Sequence, residues 1–377
     1  MKTNERNFGL DLIRVIAISL VLFSHMALLI TPNQHESGLF FIKFFGALGV
    51  DIFFVLSGFL IGGILLKHIN SKGFNKRTIL YFWIRRWFRT LPNYFLILVV
   101  NIIISYLFLE QDFPYWKYLF FIQNFSSAQP DFFTESWSLS IEEFAYILVP
   151  FILLLIGLTI KRITEKTFLI VTFAAIILLF FVKLNYHLGD IEIGETWSGS
   201  FRKVVMYRLD SIYYGFVAAY LHGKYLERID KFKLTLLGIS AVLFVVVHGI
   251  MYTSGSDPDE HLLFFNTFYL PLLSVTILLL FPFMMHLKAS KTVSKIVTHI
   301  SKTSYALYLV NYSIVLLTME RIFKVDTEIL LHFKVLIAFL FLLISYLLAV
   351  ILYRFYEKPM MDLRDHRKIR RLLSIKS

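Results

Sequence analysis

Residues 9–30, GLDLIRVIAISLVLFSHMALLI, decide the fold. As a helix rising about 1.5 Å per residue, this stretch is long enough to cross roughly 30 Å of hydrocarbon. It is too long for the core of a signal peptide and holds Arg14 in its first half. Thr31, Pro32 and Asn33 follow it with no small-residue cleavage site, so it is read as a retained first span. Its three ionisable groups, Asp11, Arg14 and His25, recur at helical spacing. His25 lies eleven residues beyond Arg14, three turns plus about 20°, so both occupy one face roughly 16 Å apart, and Asp11 joins that face three residues before Arg14.

The same apolar character recurs along all 377 residues, of which 57% are hydrophobic and only 17% charged. No soluble domain of ordinary composition shows this balance. Ten spans are expected, over residues 9–30, 43–66, 91–109, 137–157, 167–183, 206–222, 234–253, 262–287, 303–320 and 332–353. Helices are required because each segment must satisfy its own backbone polar groups within the bilayer. The fold class is therefore an all-α integral membrane bundle of about ten helices. One domain over residues 1–377 is expected, with a short basic tail from about residue 354. The net charge of +12 would suggest nucleic acid in a soluble protein, but here the basic residues cluster in alternate loops. Acidic loops with Glu110, Asp112, Asp131 and Glu135, with Asp190, Glu192 and Glu195, and with Asp257, Asp259 and Glu260 lie between them. That is the positive-inside pattern: both termini are expected in the cytoplasm and no nucleic-acid partner is expected. The absence of cysteine excludes disulfides, a thiol nucleophile and zinc sites with sulfur ligands.

Charged side chains at membrane depth cost at least a few kcal/mol and are functional candidates for that reason. Asp11 and Arg14 could instead simply pair near the interface, with His25 a hydrogen-bonded core residue. Residues 137–146, WSLSIEEFAY, place two adjacent carboxylates, Glu142 and Glu143, on one helix. Neighbours are about 100° apart, so only one can face a given site. Ser138 shares a face with Glu142, and Leu139 and Tyr146 are grouped with Glu143. Residues 67–89, with Tyr81, Trp83 and Trp87 among the arginines, are expected to form an amphipathic helix at the cytoplasmic interface. Within RRWFRTLP, residues 85–92, Arg85, Arg86 and Arg89 suit phosphate recognition or a lipid-headgroup anchor. Arg208 and Asp210 are expected to pair with each other. Gly58, Gly62 and Gly63 would let the second span approach a neighbour closely. No P-loop, Rossmann glycine fingerprint or HExxH motif occurs.

Together, DLIRVIAISLVLFSH (11–25), FFVLSGFLI (53–61), RRWFRTLP, WSLSIEEFAY and YRFYEKP (353–359) resemble membrane acyltransferase family 3 over most of the chain. The resemblance implies a ten-helix core and transfer of an acyl group, often acetyl, from a coenzyme A thioester to a sugar hydroxyl of a surface glycan. Position by position, it implies that Arg14 and His25 form the essential pair of the first helix. Glu142 would be the functional acid, and Arg85, Arg86 and Arg89 would belong to the donor side. Asp11, Trp137, Ser138, Arg208 and Asp210 are read as supporting residues. Asn311 stands where many members have histidine, and no catalytic role is assigned to it; Ala145 replaces an aromatic residue before Tyr146. Some relatives carry a soluble hydrolase-like domain after the membrane part, and the short tail implies none here.

The expectation is thus a multi-pass plasma-membrane O-acyltransferase. It would use acyl-CoA, with acetyl-CoA the first candidate, and no metal, and its partners would be a glycan acceptor and membrane lipid. In that reading His25 serves as general base or transient acyl carrier, Glu142 orients or charges it, and Arg14 stabilises charge on the donor path. The rival from another class is a transporter that moves an acyl group or lipid-linked glycan without chemistry. A reporter fused after Ser377 should be active only as a cytoplasmic reporter, and activity of an outside-only reporter there would overturn the ten-span topology.

Overall fold

The computed structural model describes residues 6–30, 37–71, 74–108, 112–160, 162–189, 197–253, 262–324 and 330–364. Over them the chain forms helices and no strand: α1 (Phe8–Ile30), α2 (Ser37–Ser71), α3 (Lys76–Phe108), α4 (Tyr115–Leu119), α5 (Ser136–Thr159), α6 (Glu165–Leu188), α7 (Asp210–Lys231), α8 (Lys233–Thr253), α9 (Leu270–Met284), α10 (Lys291–Val310), α11 (Leu317–Phe323), α12 (Leu331–Leu352) and α13 (Lys358–Arg364). A π-helical turn, Phe264–Tyr269, leads into α9. Two more, Asn311–Leu316 and Tyr353–Glu357, join α10 to α11 and α12 to α13.

Nine helical stretches among the described residues are long and apolar enough to cross a membrane. The remaining expected span, residues 206–222, corresponds to α7. Its second half carries His222, Lys224, Glu227, Arg228, Asp230 and Lys231, which keeps α7 from qualifying on hydropathy. Two other expectations are corrected. Residues 67–89 are not a separate interfacial helix: α2 continues to Ser71 and α3 begins at Lys76, running through Pro92 as one helix. The arginines therefore occupy the first half of a long helix that enters the bundle. The ninth span likewise begins at Lys291 rather than near 303. The acidic segments at 190–195 and 257–260, and the basic tail beyond 364, lie outside the described residues.

In lipid, helices associate through close packing, because the tails outside are as apolar as the side chains within. The seam between α2 and α7 uses this directly. A Cβ on Gly58 would meet the Ile212 carbonyl oxygen at 2.0 Å, one on Gly215 would meet the Val55 oxygen at 2.5 Å, and one on Gly62 would meet Phe216 Cα at 2.9 Å. On its other side α2 meets α1, where a Cβ on Gly49 would lie 2.5 Å from the Ala17 carbonyl oxygen. Helix α2 is thus held backbone-to-backbone between α1 and α7. Gly63, grouped with the other two from sequence, faces open space instead.

Because the obstructing atoms at Gly58 belong to backbone, the α2–α7 seam cannot relax around a side chain. Gly58→Leu should destabilise the protein by about 2 kcal/mol or more and lose the monodisperse peak in detergent size-exclusion chromatography. Gly63→Leu should leave that peak unchanged; equal behaviour of the two variants would remove the seam's structural role.

Candidate active site

At the N-terminal end of α1 several side chains converge on the carboxylate of Asp11. Arg6 donates from Nε at 2.9 Å and Nη2 at 2.6 Å, Ser301 Oγ donates at 2.7 Å, and Arg14 Nη1 lies 3.2 Å away. Arg14 Nη1 also donates to Ser301 Oγ at 2.9 Å. Asp11 does pair with Arg14 as expected, but its bidentate partner is Arg6. Arg14 thereby keeps part of its guanidinium for the space beside it.

That space is a cavity of about 360 Å³ between α1, α2, α3, α5 and α10. Arg14, Arg86, Arg89 and Glu142 line its polar part. Val50, Phe53, Phe54, Leu60 and Leu139 form apolar walls, and Ser138 and Tyr308 also face it. Arg86 pairs with Glu142, and its guanidinium lies over the Tyr146 ring with Cζ 4.1 Å from the centroid. The Tyr146 hydroxyl is bonded to Ser57 and donates to the same Glu142 oxygen at 2.9 Å. Arg86 Nε is buried without a partner among the described residues. Its pairing is therefore incomplete, and one donor is left for an anion in the cavity. Arg85 does not line the cavity: it donates to the Tyr81 hydroxyl at 2.7 Å on an exposed face of α3. Of the three arginines read as donor-side, the structure brings Arg86 and Arg89 together with Arg14, and leaves Arg85 apart.

The adjacent carboxylates separate as a 100° step requires. Glu142 faces the cavity, whereas Glu143, 5% exposed, accepts from Trp87 Nε1 and Thr90 Oγ1, both at 3.1 Å, and so fastens α5 to α3. The expected grouping of Tyr146 with Glu143 is corrected, since Tyr146 is one turn from Glu142 and bonds to it.

His25 lies at the other end of α1 and is not part of the cavity lining. Its partner is not Glu142, which is already taken by Arg86 and Tyr146. Instead His25 Nδ1 meets Asn311 Oδ1 at 2.5 Å, and the ring packs on Tyr312 with centroids 4.8 Å apart. Asn311 Nδ2 donates to the carbonyls of Leu307 at 2.9 Å and Tyr308 at 2.7 Å. With the amide nitrogen committed to two carbonyls, Oδ1 must accept, so the His25 proton resides on Nδ1 and Nε2 keeps its lone pair. The cavity and the histidine are joined through one helix turn: Tyr308, whose hydroxyl meets Ser138 Oγ at 2.7 Å at the cavity wall, also receives the Asn311 amide.

Three features escaped the sequence reading. Asn311 was given no role, yet it holds His25. Glu135, counted among outer-loop acids, is 4% exposed and accepts from Ser313 Oγ at 2.5 Å; burial outweighs that hydrogen bond and lifts its carboxyl to about 7. Arg208 and Asp210 do not pair with each other: Arg208 pairs with Asp51 of α2 and Asp210 with Lys183 of α6. Asp51 and Lys183 are themselves charges within apolar stretches, a signal the sequence displays. Trp137 is buried edge-on to Phe54, with centroids 5.8 Å apart.

No solved structure matches the chain. Among curated proteins, O-acetyltransferase OatA of Staphylococcus aureus strain NCTC 8325 is 27% identical over 374 residues, covering 93% of this chain and 56% of the relative. A protein of S. aureus strain COL, provisionally named an O-acetyltransferase, is 26% identical over 377 residues with the same coverage. The chain thus spans little more than half the length of these relatives. The family model described as an acyltransferase domain matches residues 7–354, and with that match over nearly all of its membrane helices, the chain belongs to this acyltransferase family.

Proposed function

We propose that the protein is a membrane O-acyltransferase that moves an acyl group, acetyl in the first instance, from an acyl-CoA donor to a hydroxyl of a cell-surface glycan. The observation that carries this reading is the cavity, with Arg14, Arg86 and Arg89 at its polar end and the Ser138–Tyr308 contact leading toward His25. Guanidinium groups match phosphate oxygens bidentately, so the arginine end suits the phosphates of the donor and the apolar walls suit its thioester arm. Glu142 holds Arg86 in place and offsets the cost of burying it. Both termini would face the cytoplasm, and the membrane would be the plasma membrane.

In this reading the His25 Nε2 lone pair takes the proton of the acceptor hydroxyl as its oxygen attacks the thioester carbonyl. The new C–O bond forms, the C–S bond breaks, and the imidazolium returns its proton to the departing thiolate. Asn311 holds the imidazole in the tautomer this needs and faces the charge as it develops. Glu142 acts on the donor side, through Arg86, rather than on the histidine.

Labelled acetyl-CoA and candidate sugars presented to purified protein in detergent test the assignment, since turnover distinguishes an enzyme from a carrier. His25→Ala should lower transfer by about 10²–10⁴-fold, the range of a lost general base, while membrane insertion persists. Near-normal transfer by that variant would return His25 to the core.

The two adjacent carboxylates give a sharper comparison at matched membrane levels. Glu142→Gln should cut kcat/KM for acetyl-CoA by roughly 10-fold or more, mostly through KM, because Arg86 loses a charged partner at a cost of about 1.5–3 kcal/mol. Glu143→Gln should stay within about 3-fold, since the amide oxygen still accepts from Trp87 or Thr90. Equal losses, or the greater loss at Glu143, would place the donor on the wrong face of α5.

A further inference from the structure

Where α1 ends and α5 begins, Arg202 and Lys203 stand side by side on the segment between α6 and α7. The segment is firmly built. Asn124 Nδ2 donates to the carbonyls of Lys203 at 2.6 Å and Trp137 at 3.0 Å, and the amides of Val205 and Met206 donate to the carbonyls of Asn124 and Phe125 at 2.9 and 3.2 Å. Arg202 ends a π-helical turn, Ser198–Arg202, and donates from Nε to Ser198 Oγ at 3.2 Å. Its guanidinium lies over the Trp137 ring, with Cζ 5.0 Å from the centroid, and its buried Nη1 has no acceptor among the described residues.

Several cations of this bundle are paired with a carboxylate: Arg86 with Glu142, Arg208 with Asp51, and Lys183 with Asp210. Arg202 and Lys203 have none among the described residues, and only the exposed Asp131 acts on Lys203 from farther off. Burial lowers Arg202 to about 10; burial and the adjacent Arg202 charge lower Lys203 to about 8. Two cations drawn from water without a counter-charge are costly unless an anion joins them. The donor phosphates are not that anion in the proposed function, because Arg14, Arg86 and Arg89 serve them elsewhere. The positions of the pair point to the acceptor: Arg202 lies over Trp137, next in sequence to Ser138, whose hydroxyl meets that of Tyr308, and the Tyr308 carbonyl receives the Asn311 amide that holds His25.

We propose that Arg202 and Lys203 form the anion site of the acceptor, and that the glycan acylated is an acidic one, bearing a carboxylate or phosphate a few atoms from the reacting hydroxyl. The planar fork of Arg202 would take two oxygens of the anion and Lys203 a third contact, which presents the neighbouring hydroxyl to His25. This inference rests on the reading of the protein as an O-acyltransferase and adds its acceptor class.

Binding is measured before turnover. The full-length protein in detergent is titrated with methyl β-D-glucuronide, glucose 6-phosphate and methyl β-D-glucoside while tryptophan fluorescence is followed, since Trp137 lies beneath Arg202. A saturable change with an acidic sugar, absent with the neutral glucoside, is expected; glucuronide alone assigns a carboxylate, and glucose 6-phosphate alone a phosphate ester. Arg202→Gln and Lys203→Gln should each weaken that binding about 10-fold or more, the scale of one lost charge-assisted contact, and Arg202→Lys should weaken it less than Arg202→Gln. Equal binding of the glucoside, acidic-sugar binding untouched by both glutamine variants, or no saturable binding of any of the three overturns the anion site. Labelled acetyl-CoA is then added. Protein that binds an acidic sugar but transfers no acetyl group overturns the enzymatic reading and leaves the anion site standing, whereas transfer to the glucoside as readily as to the acidic sugars removes the site and keeps the enzyme.

Discussion

Every charge drawn into a lipid-embedded bundle needs a neighbour to compensate it, and here the compensating pairs determine which helices meet. The Asp51–Arg208 and Lys183–Asp210 pairs bind α2 and α6 to the foot of α7. The Arg86–Glu142 pair binds α3 to α5, and Asp11 with Ser301 binds α1 to α10. Removing one member of such a pair leaves its partner uncompensated in a low-dielectric interior, at a cost of about 3–5 kcal/mol. The pairs therefore penalise any other arrangement of helices more than they stabilise this one. The two pairs at the start of α7 also explain how a helix too polar to qualify as a span is held deep among apolar neighbours.

The same constraint shapes the cavity. A fully satisfied guanidinium would have nothing to offer a ligand, and a wholly unsatisfied one would be too costly to bury. Arg86, paired through one nitrogen and stacked on Tyr146 while its Nε stays open, is stabilised in place and still able to bind an anion. Arg14 is arranged in a similar way, sharing Asp11 with Arg6 rather than holding it alone. Glu143, one residue from Glu142, takes the opposite part: both its oxygens are occupied by α3, and it is a structural fastening.

Much of this was legible in the sequence, and what was not has a common cause. Spans follow from apolar length, the Asp11–Arg14 contact from a spacing of three, and the close approach at Gly58 and Gly62 from their missing side chains. These are local properties. Partner choice between distant helices is not local. Arg208 and Asp210 are near in sequence and were natural partners on that ground, yet each is claimed by another helix, and no periodicity announces that Asp51 and Lys183 lie opposite. The 100° step between Glu142 and Glu143 says that one of them faces inward, but the neighbour that defines inward is α3, some fifty residues earlier. His25 shows the same limit: its contact, Asn311, is visible as a polar residue in an apolar stretch, while their meeting depends on α1 and α10 lying side by side. The helix starts at Lys76 and Lys291 were misjudged because hydropathy marks where lipid begins, not where the helix does.

The π-helical turn at Asn311–Leu316 has a consequence of another kind. A π turn accommodates one residue more than the α-helix around it, and each residue added to or taken from a helix turns everything beyond it by about 100°. Asn311, Tyr312 and Ser313, which meet His25 and Glu135, fall within this turn, and α11 follows directly. The stretch reads as an undemanding apolar segment in which length is slack, but its residue count works as a phase setting for the end of the helix. A one-residue deletion just after Asn311, silent in hydropathy, would leave Asn311 in phase with α10 but shift Ser313 by one position, about 100° around the helix and away from Glu135. In this part of the bundle the chain can exchange residues more freely than it can gain or lose them.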